Sequence, residues 1–348
     1  MKKILFATML AVLIIAAGSY VSFKKMNGTK EEKAQNMPEI KIAYSPESLQ
    51  DVSIIIAYEK KYFEKYGLTP NMIPLNGGRE VVQSMVSGQA DFGTATVVNF
   101  LPAMVEDAPI RIIAGPVSSP AYVLVRPNEN IKSFTDLYGK TIAVPPKGAN
   151  ELALKVVLSD ENIDVSKIKF LYIEKTYNTS ALFDTKAADA VVVSDQDTEQ
   201  LMKRGAIVLP AWEEKGYLKN MPPRNFIAAN EDFINQHGDI VKKFLEAYID
   251  SERLIKNNPQ EAAELLAAHT KRESGGAINY EVEDILKKWQ NKTIVNAIWQ
   301  DPSIAMKFVK KAVEVGIIDK ELTQSQAFDT RFQEMLEVAQ NEIYGQQN

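Results

Sequence analysis

The chain contains no cysteine and only two histidines, His237 and His269, among its 348 residues. Missing thiols exclude disulfides, thiolate metal sites, cysteine nucleophiles and a lipid-bearing cysteine. Both histidines fall in segments predicted as surface helices, where a solvated ring is expected. No catalytic constellation and no metal-spaced cluster stands out, and no cofactor is implied. Positive charge is also short: 40 Lys and Arg against 45 Asp and Glu give a net charge of -5. That argues against a nucleic-acid partner, which usually meets a basic face. No G-x-x-x-x-G-K-[ST] loop occurs, so nucleotide binding fits poorly. Low-complexity tracts and solenoid periods are absent.

One long apolar run is present, and it is N-terminal. Lys2 and Lys3 precede Ile4 to Ala17, followed by Gly18 and Ser19. A positive start, an apolar stretch and small residues make an export segment with cleavage after Gly18. Extended to Phe23, the run reaches about 20 residues and reads as an uncleaved anchor followed by Lys24 and Lys25. Ala16-Ala17-Gly18-Ser19 looks like a lipoprotein box with serine for cysteine, so that lipidation cannot occur. Residues 1–23 are therefore signal peptide or anchor, and the polar residues 24–37 a spacer. Either way the remainder is exported, to a periplasm or cell surface.

That remainder is long enough for two packed domains. Alternating stretches such as Glu39 to Tyr44 read as strands, and helical spacing of Val52, Ile55, Ile56, Tyr62 and Phe63 as a helix. Strands alternate with helices, which predicts α/β architecture with mainly parallel sheets. From Phe233 onward the pattern is helical, with Pro259 and Pro302 at helix starts. Two segments echo each other: Gln83 to Gly93, and Ser180 to Val192. Each is an apolar helix end, a polar break, then an Asp (Asp91, Asp189) leading into a small-residue strand. Two such junctions predict two similar lobes with a ligand cleft between them.

Five segments carry a resemblance. They are Ile55 to Leu68, Ser87 to Gly93, Ile131 to Val144, Ala188 to Val193 and Asn257 to Ala263. In order and spacing the chain resembles the solute-binding proteins of ABC importers in the nitrate, sulfonate, taurine and thiamine-precursor group (NMT1/THI5-like, SsuA-like). The resemblance implies a two-lobe periplasmic-binding-protein type 2 fold, a "Venus flytrap", with C-terminal helices. Lobe 1 would be 38–125 and 225–348, lobe 2 126–224, with hinges near Arg126 and Arg224. It implies a small-molecule ligand, sulfonate- or taurine-like, nitrate-like or pyrimidine-like. It also implies an ABC permease as partner, and action as a monomer. A ligand-sensing module is the alternative; a pyrimidine-precursor enzyme is a third, disfavoured because such relatives use histidine and neither histidine here falls in a cleft loop.

Ligands of open α/β sheets sit beyond the carboxyl ends of the strands. That rule selects Tyr44 and Ser45, Gly77 and Gly78, Thr94 and Thr96, Ser118 and Ser119, Tyr122, Lys147 to Asn150, Tyr177 and Asp195. Gly77-Gly78 and Lys147-Gly148 each precede a helix, where backbone N–H groups can hold an anion. Thr94, Thr96, Ser118 and Ser119 offer hydroxyls; Tyr44, Tyr122 and Tyr177 offer flat walls. Two departures matter. Many relatives carry Gly-Ser/Thr-Ser where this chain has Gly148-Ala149-Asn150, and Trp-Glu-Pro where it has Ser194-Asp195-Gln196. Fewer hydroxyls and an added acid favour a zwitterion or a neutral heterocycle over a simple anion.

Overall fold

Eleven strands are found among the described residues of the computed structural model, which are 37–173, 179–194, 196–218 and 224–345. The expected export segment and all but Met37 of the spacer lie outside them. β1 (Glu39–Tyr44), β2 (Thr69–Pro74), β3 (Phe92–Thr96), β4 (Ile110–Ser118), β10 (Asn225–Asn230) and β11 (Val295–Asn296) form one sheet in the order β11-β4-β10-β3-β1-β2. β5 (Tyr122–Val125), β6 (Thr141–Val144), β7 (Lys169–Tyr172), β8 (Ala190–Val193) and β9 (Ile207–Val208) form a second in the order β7-β6-β8-β5-β9. The sheets match. In each, three neighbouring strands run parallel and an antiparallel strand, β10 or β5, follows the third. The expected parallel character is thus interrupted in both sheets by the strand that arrives directly after a crossover, and in the first sheet also by the short edge strand β11, antiparallel to β4.

The two echoed segments perform the same task. In the first, the N–H groups of Gln89 and Ala90 close on the Ser84 carbonyl; in the second, those of Ala187 and Ala188 close on Leu182. Gly88 takes the left-handed conformation at φ +72, and Lys186 its counterpart at φ +58. The Asp91 carboxylate then accepts the Lys41 N–H at 2.8 Å, and the Asp189 carboxylate the Thr141 N–H at 2.7 Å. Each Asp ties the incoming strand to its parallel neighbour.

β5 pairs within the second sheet, which corrects the expected boundary between 125 and 126. The first crossover lies at 119–121. Arg126 is not a hinge: its guanidinium holds the Phe183 and Ala188 carbonyls inside the second sheet's lobe.

Helices cover both faces of the first sheet. α1 (Val52–Glu59), α2 (Gly78–Val86) and α3 (Val97–Val105) come from the N-terminal part. α4 (Ala149–Asp160) belongs to the second lobe. α5 (Gly238–Asn257), α6 (Pro259–Glu273), α7 (Val282–Gln290) and α8 (Pro302–Glu314) follow. Pro259 and Pro302 open α6 and α8 as expected, with Asn258 and Asp301 capping the next free N–H groups. The core under α5 includes Phe92 and Phe244, whose rings stack at 3.9 Å. None of the described helices is long and apolar enough to cross a membrane.

Candidate functional site

Strand ends of the two lobes face each other, and the lobes are in contact. Ala149 and Leu152 of α4 pack into the core of the first lobe beside Leu101, Val309 and Ala305. Arg79 donates to the Pro146 carbonyl at 3.2 Å. Ion pairs Lys311–Asp160 and Lys288–Glu199 flank the contact at 2.9 and 2.5 Å. The lobes therefore touch along this face.

The two glycine loops are built alike. Gly77 has φ +112 and starts α2. Glu80, in the first turn, reaches back to the Asn76 N–H at 3.0 Å. In the other lobe, Glu151 reaches back to the Lys147 N–H at 2.5 Å. Glu151 is buried and also meets Lys155 at 2.8 Å and the Tyr172 hydroxyl at 3.0 Å. The expected anion-binding positions at Asn76–Gly78 and Lys147–Gly148 are therefore each faced by a carboxylate of the chain itself. Negative charge near a helix start is stabilising, and here the protein supplies it. The first-turn N–H groups beyond, at Ala149 and Asn150, have no partner within their helix.

The three glycines differ in reason. Gly77 needs its positive φ. A Cβ on Gly78 would lie 2.5 Å from Asn99 Oδ1 and 3.0 Å from Ala95 Cβ, so α2 and α3 require the small residue. Gly148 has extended backbone, φ -119 and ψ 174, and a Cβ there would come no nearer than 3.9 Å to any neighbour. Nothing in the fold demands glycine at 148.

Between the lobes lies a buried polar chain. Gln50 Nε2 donates to Ser119 Oγ at 2.6 Å. Arg224 Nη1 donates to the Ser119 carbonyl at 3.1 Å, and Nη2 to Asn150 Oδ1 at 2.6 Å. Asn225 Nδ2 donates to Asp51 Oδ1 at 2.5 Å, and the Ser45 N–H to Asp51 Oδ2 at 2.8 Å. Burial pushes the Asp51 carboxyl up to about 7, against the pull of these donors. Beside it sits a cavity of about 10 Å³ lined by Gln50, Asp51, Thr94, Asn225 and Tyr248 among others. That is room for about one water. The buried Thr94 hydroxyl faces the same carboxylate without completing a hydrogen bond.

The sequence-derived set is thus partly gathered and partly dispersed. Ser119 and Asn150 meet in the interlobe chain, joined by Ser45 through its backbone. Thr96 opens α3 and donates to Asn99 Oδ1 at 2.5 Å. Ser118 ends β4 beside Val295, and Tyr122 is half-buried on β5. Tyr177 and Asp195 lie outside the described residues. Tyr44 is corrected from cleft wall to core: it is 1% exposed, packed with Val52, Ile56 and Ala263. Alternation along β1 turns its ring under α1 and α6. Its hydroxyl meets His269 Nε2 at 2.8 Å, and His269 Nδ1 meets Glu59 at 2.6 Å. His269 is therefore buried, not the solvated residue expected, because α6 turns that face inward. Arg224 was named only as a hinge position, and Gln50, Asp51 and Asn225 were not singled out. Ser48-Leu49-Gln50-Asp51 has the S-x-x-D look of a helix cap, which masks its second use.

The sequence pattern described as NMT1/THI5 like matches residues 49–262, more than half of the chain. The chain belongs to this family. It is 21% identical over 290 residues to the formylaminopyrimidine-binding protein of Halalkalibacterium halodurans, covering 81% of this chain and 85% of that one. It is 20% identical over 246 residues to the taurine-binding periplasmic protein of Escherichia coli K12, covering 63% and 71%. Among solved structures, the periplasmic aliphatic sulphonate binding protein SsuA from Escherichia coli superposes with a TM-score of 0.68 at 15% identity, covering 84% of this chain and 92% of that chain. That likeness confirms the two-lobe periplasmic-binding-protein fold.

Proposed function

We propose that this family member is an exported solute-binding protein, which captures a small solute between its lobes and hands it to an ABC permease. The observation that carries the reading is the contact between matching strand ends, with paired glycine loops on either side. Relatives that bind a formylaminopyrimidine, taurine and sulphonates support it. Within that range the solute is neutral or zwitterionic. Glu80 and Glu151 already stand at the two helix starts that a simple anion would need.

A thermal-shift panel tests both parts. Taurine or a formylaminopyrimidine is expected to raise the melting temperature, and nitrate is not. A ligand at a hundred times its dissociation constant adds about 2.7 kcal/mol. With the responding compound at saturation, small-angle scattering should report a smaller radius of gyration. A shift with nitrate alone would reverse the charge argument, and an unchanged radius at saturation would remove the closing mechanism.

A further inference from the structure

The residues that touch both crossovers are not at the cleft surface. Ser119 sits on the first crossover and Arg224 ends the second. Arg224 is anchored to the first lobe by its backbone: its carbonyl accepts the Val97 N–H at 2.8 Å, at the start of α3. Its side chain leaves that lobe and divides between two acceptors, the Ser119 carbonyl and Asn150 Oδ1 at the start of α4. Gln50 holds Ser119 from the other side, and Asp51 holds Asn225, the next residue after Arg224. Gln50, Asp51, Ser119, Asn150, Arg224 and Asn225 are all buried. Each link is a protein–protein hydrogen bond, so none needs a captured solute to complete it.

We propose that Arg224, braced by Gln50 and Asp51, is a positioning residue for closure: it locks the start of α4 to the two crossovers without touching the solute. The geometry gives the reason for arginine. Its planar fork serves two acceptors that belong to different parts of the molecule, the first crossover and α4, and a lysine ammonium has no such fixed fork. Opening the lobes must separate Asn150 from Arg224 or carry Arg224 away from Ser119. The brace therefore adds to the stability of the closed form alone. This inference rests on the reading that the lobes open and close.

The chain's lack of cysteine makes the test direct. Gln89→Cys and Ala187→Cys place one exposed label on each lobe of the full-length protein, and pulsed electron spin resonance measures their separation with no solute added. The parent is expected to show a closed, short-distance population. Arg224→Gln should reduce that population at least threefold, and Arg224→Lys by less, with circular dichroism unchanged. Should Arg224→Gln fail to fold, Gln50→Leu and Ser119→Ala each remove one link and should also reduce it. Because both remove the Gln50–Ser119 link, the double variant should lose less than the sum of the single ones. A ligand-free parent with no closed population, or folded variants whose distances superimpose on the parent's, would overturn the brace. Repeating the parent measurement with taurine and with a formylaminopyrimidine separates the two failures. A parent whose distances never respond sinks the capture reading; one that closes while the variants match it sinks the brace alone.

Discussion

Gly148→Val is expected to abolish solute binding while leaving the protein folded and its melting temperature close to the parent's. The backbone at 148 is extended and open to any residue, and the space around a Cβ is free of contacts nearer than 3.9 Å. The substitution therefore strains nothing inside its own lobe. What it does is place a branched side chain on the loop that leads into α4, where the free N–H groups of Ala149 and Asn150 begin. Gly78→Val is the control with the opposite outcome. Its Cβ would fall 2.5 Å from Asn99 Oδ1 and 3.0 Å from Ala95 Cβ, so the Asn99 side chain must move and α2 must shift against β3. Overpacking of this kind costs about 1–3 kcal/mol. Denaturation and binding measured on both variants decide the matter. Loss of stability in Gly148→Val equal to that in Gly78→Val would mean that the loop is a packing element and not a ligand contact.

The contribution of Asp51 to the stability of the parent is expected to fall as pH rises from about 4 to 7, and Asp51→Asn to remove that fall. An unfolded Asp ionises near its ordinary value of 3.8, while the folded Asp51 keeps its proton to about 7. Between those values the folded chain holds a proton that the unfolded chain has lost, so folding weakens with rising pH; above 7 the contribution is constant. Each unit of separation is worth about 1.4 kcal/mol, so the effect amounts to several kcal/mol. Glu252, buried on α5 with Ser53, Asn296 and Tyr344 as partners, is shifted upward as well and acts in the same direction. Asn at 51 can still accept the Ser45 N–H, and Asn225 can turn its amide to match. Urea denaturation of both proteins at pH 5 and pH 8 is the measurement. Equal losses in parent and variant would show that Asp51 is ionised throughout.

Much of the architecture was open to reading because its devices are local. The echoed junctions lie within a dozen residues each, and Asp91 and Asp189 do the same work in both. Pro259 and Pro302 mark helix starts by their own chemistry. Tyr122–Val125 and Asn225–Asn230 read as strands, but their antiparallel pairing as β5 and β10 was not legible, since nothing in either segment states which neighbour it will meet. Misplacing the first crossover followed from that. Tyr44 and His269 were misjudged for a related reason. They are 225 residues apart, and only tertiary contact shows that each buries the other's polar atom. The candidate loops were chosen by the rule about strand ends, which names positions but not partners. Gln50, Asp51 and the side-chain role of Arg224, named only as a hinge position, escaped because each serves a contact more than sixty residues away.

The position of β10 also orders the assembly of the molecule. It lies between β3 and β4, bonded to both, yet it is made only after the entire second sheet. Until Asn225–Asn230 arrives, the first sheet has a gap through its middle, with the open edges of β3 and β4 facing one another. The second sheet has no such debt, because all its strands lie between Tyr122 and Val208. A chain emerging from its N-terminus can therefore complete its second lobe first. The first lobe closes only when β10 docks, the kind of long-range pairing that slows folding. The lobe begun first is thus the one finished last.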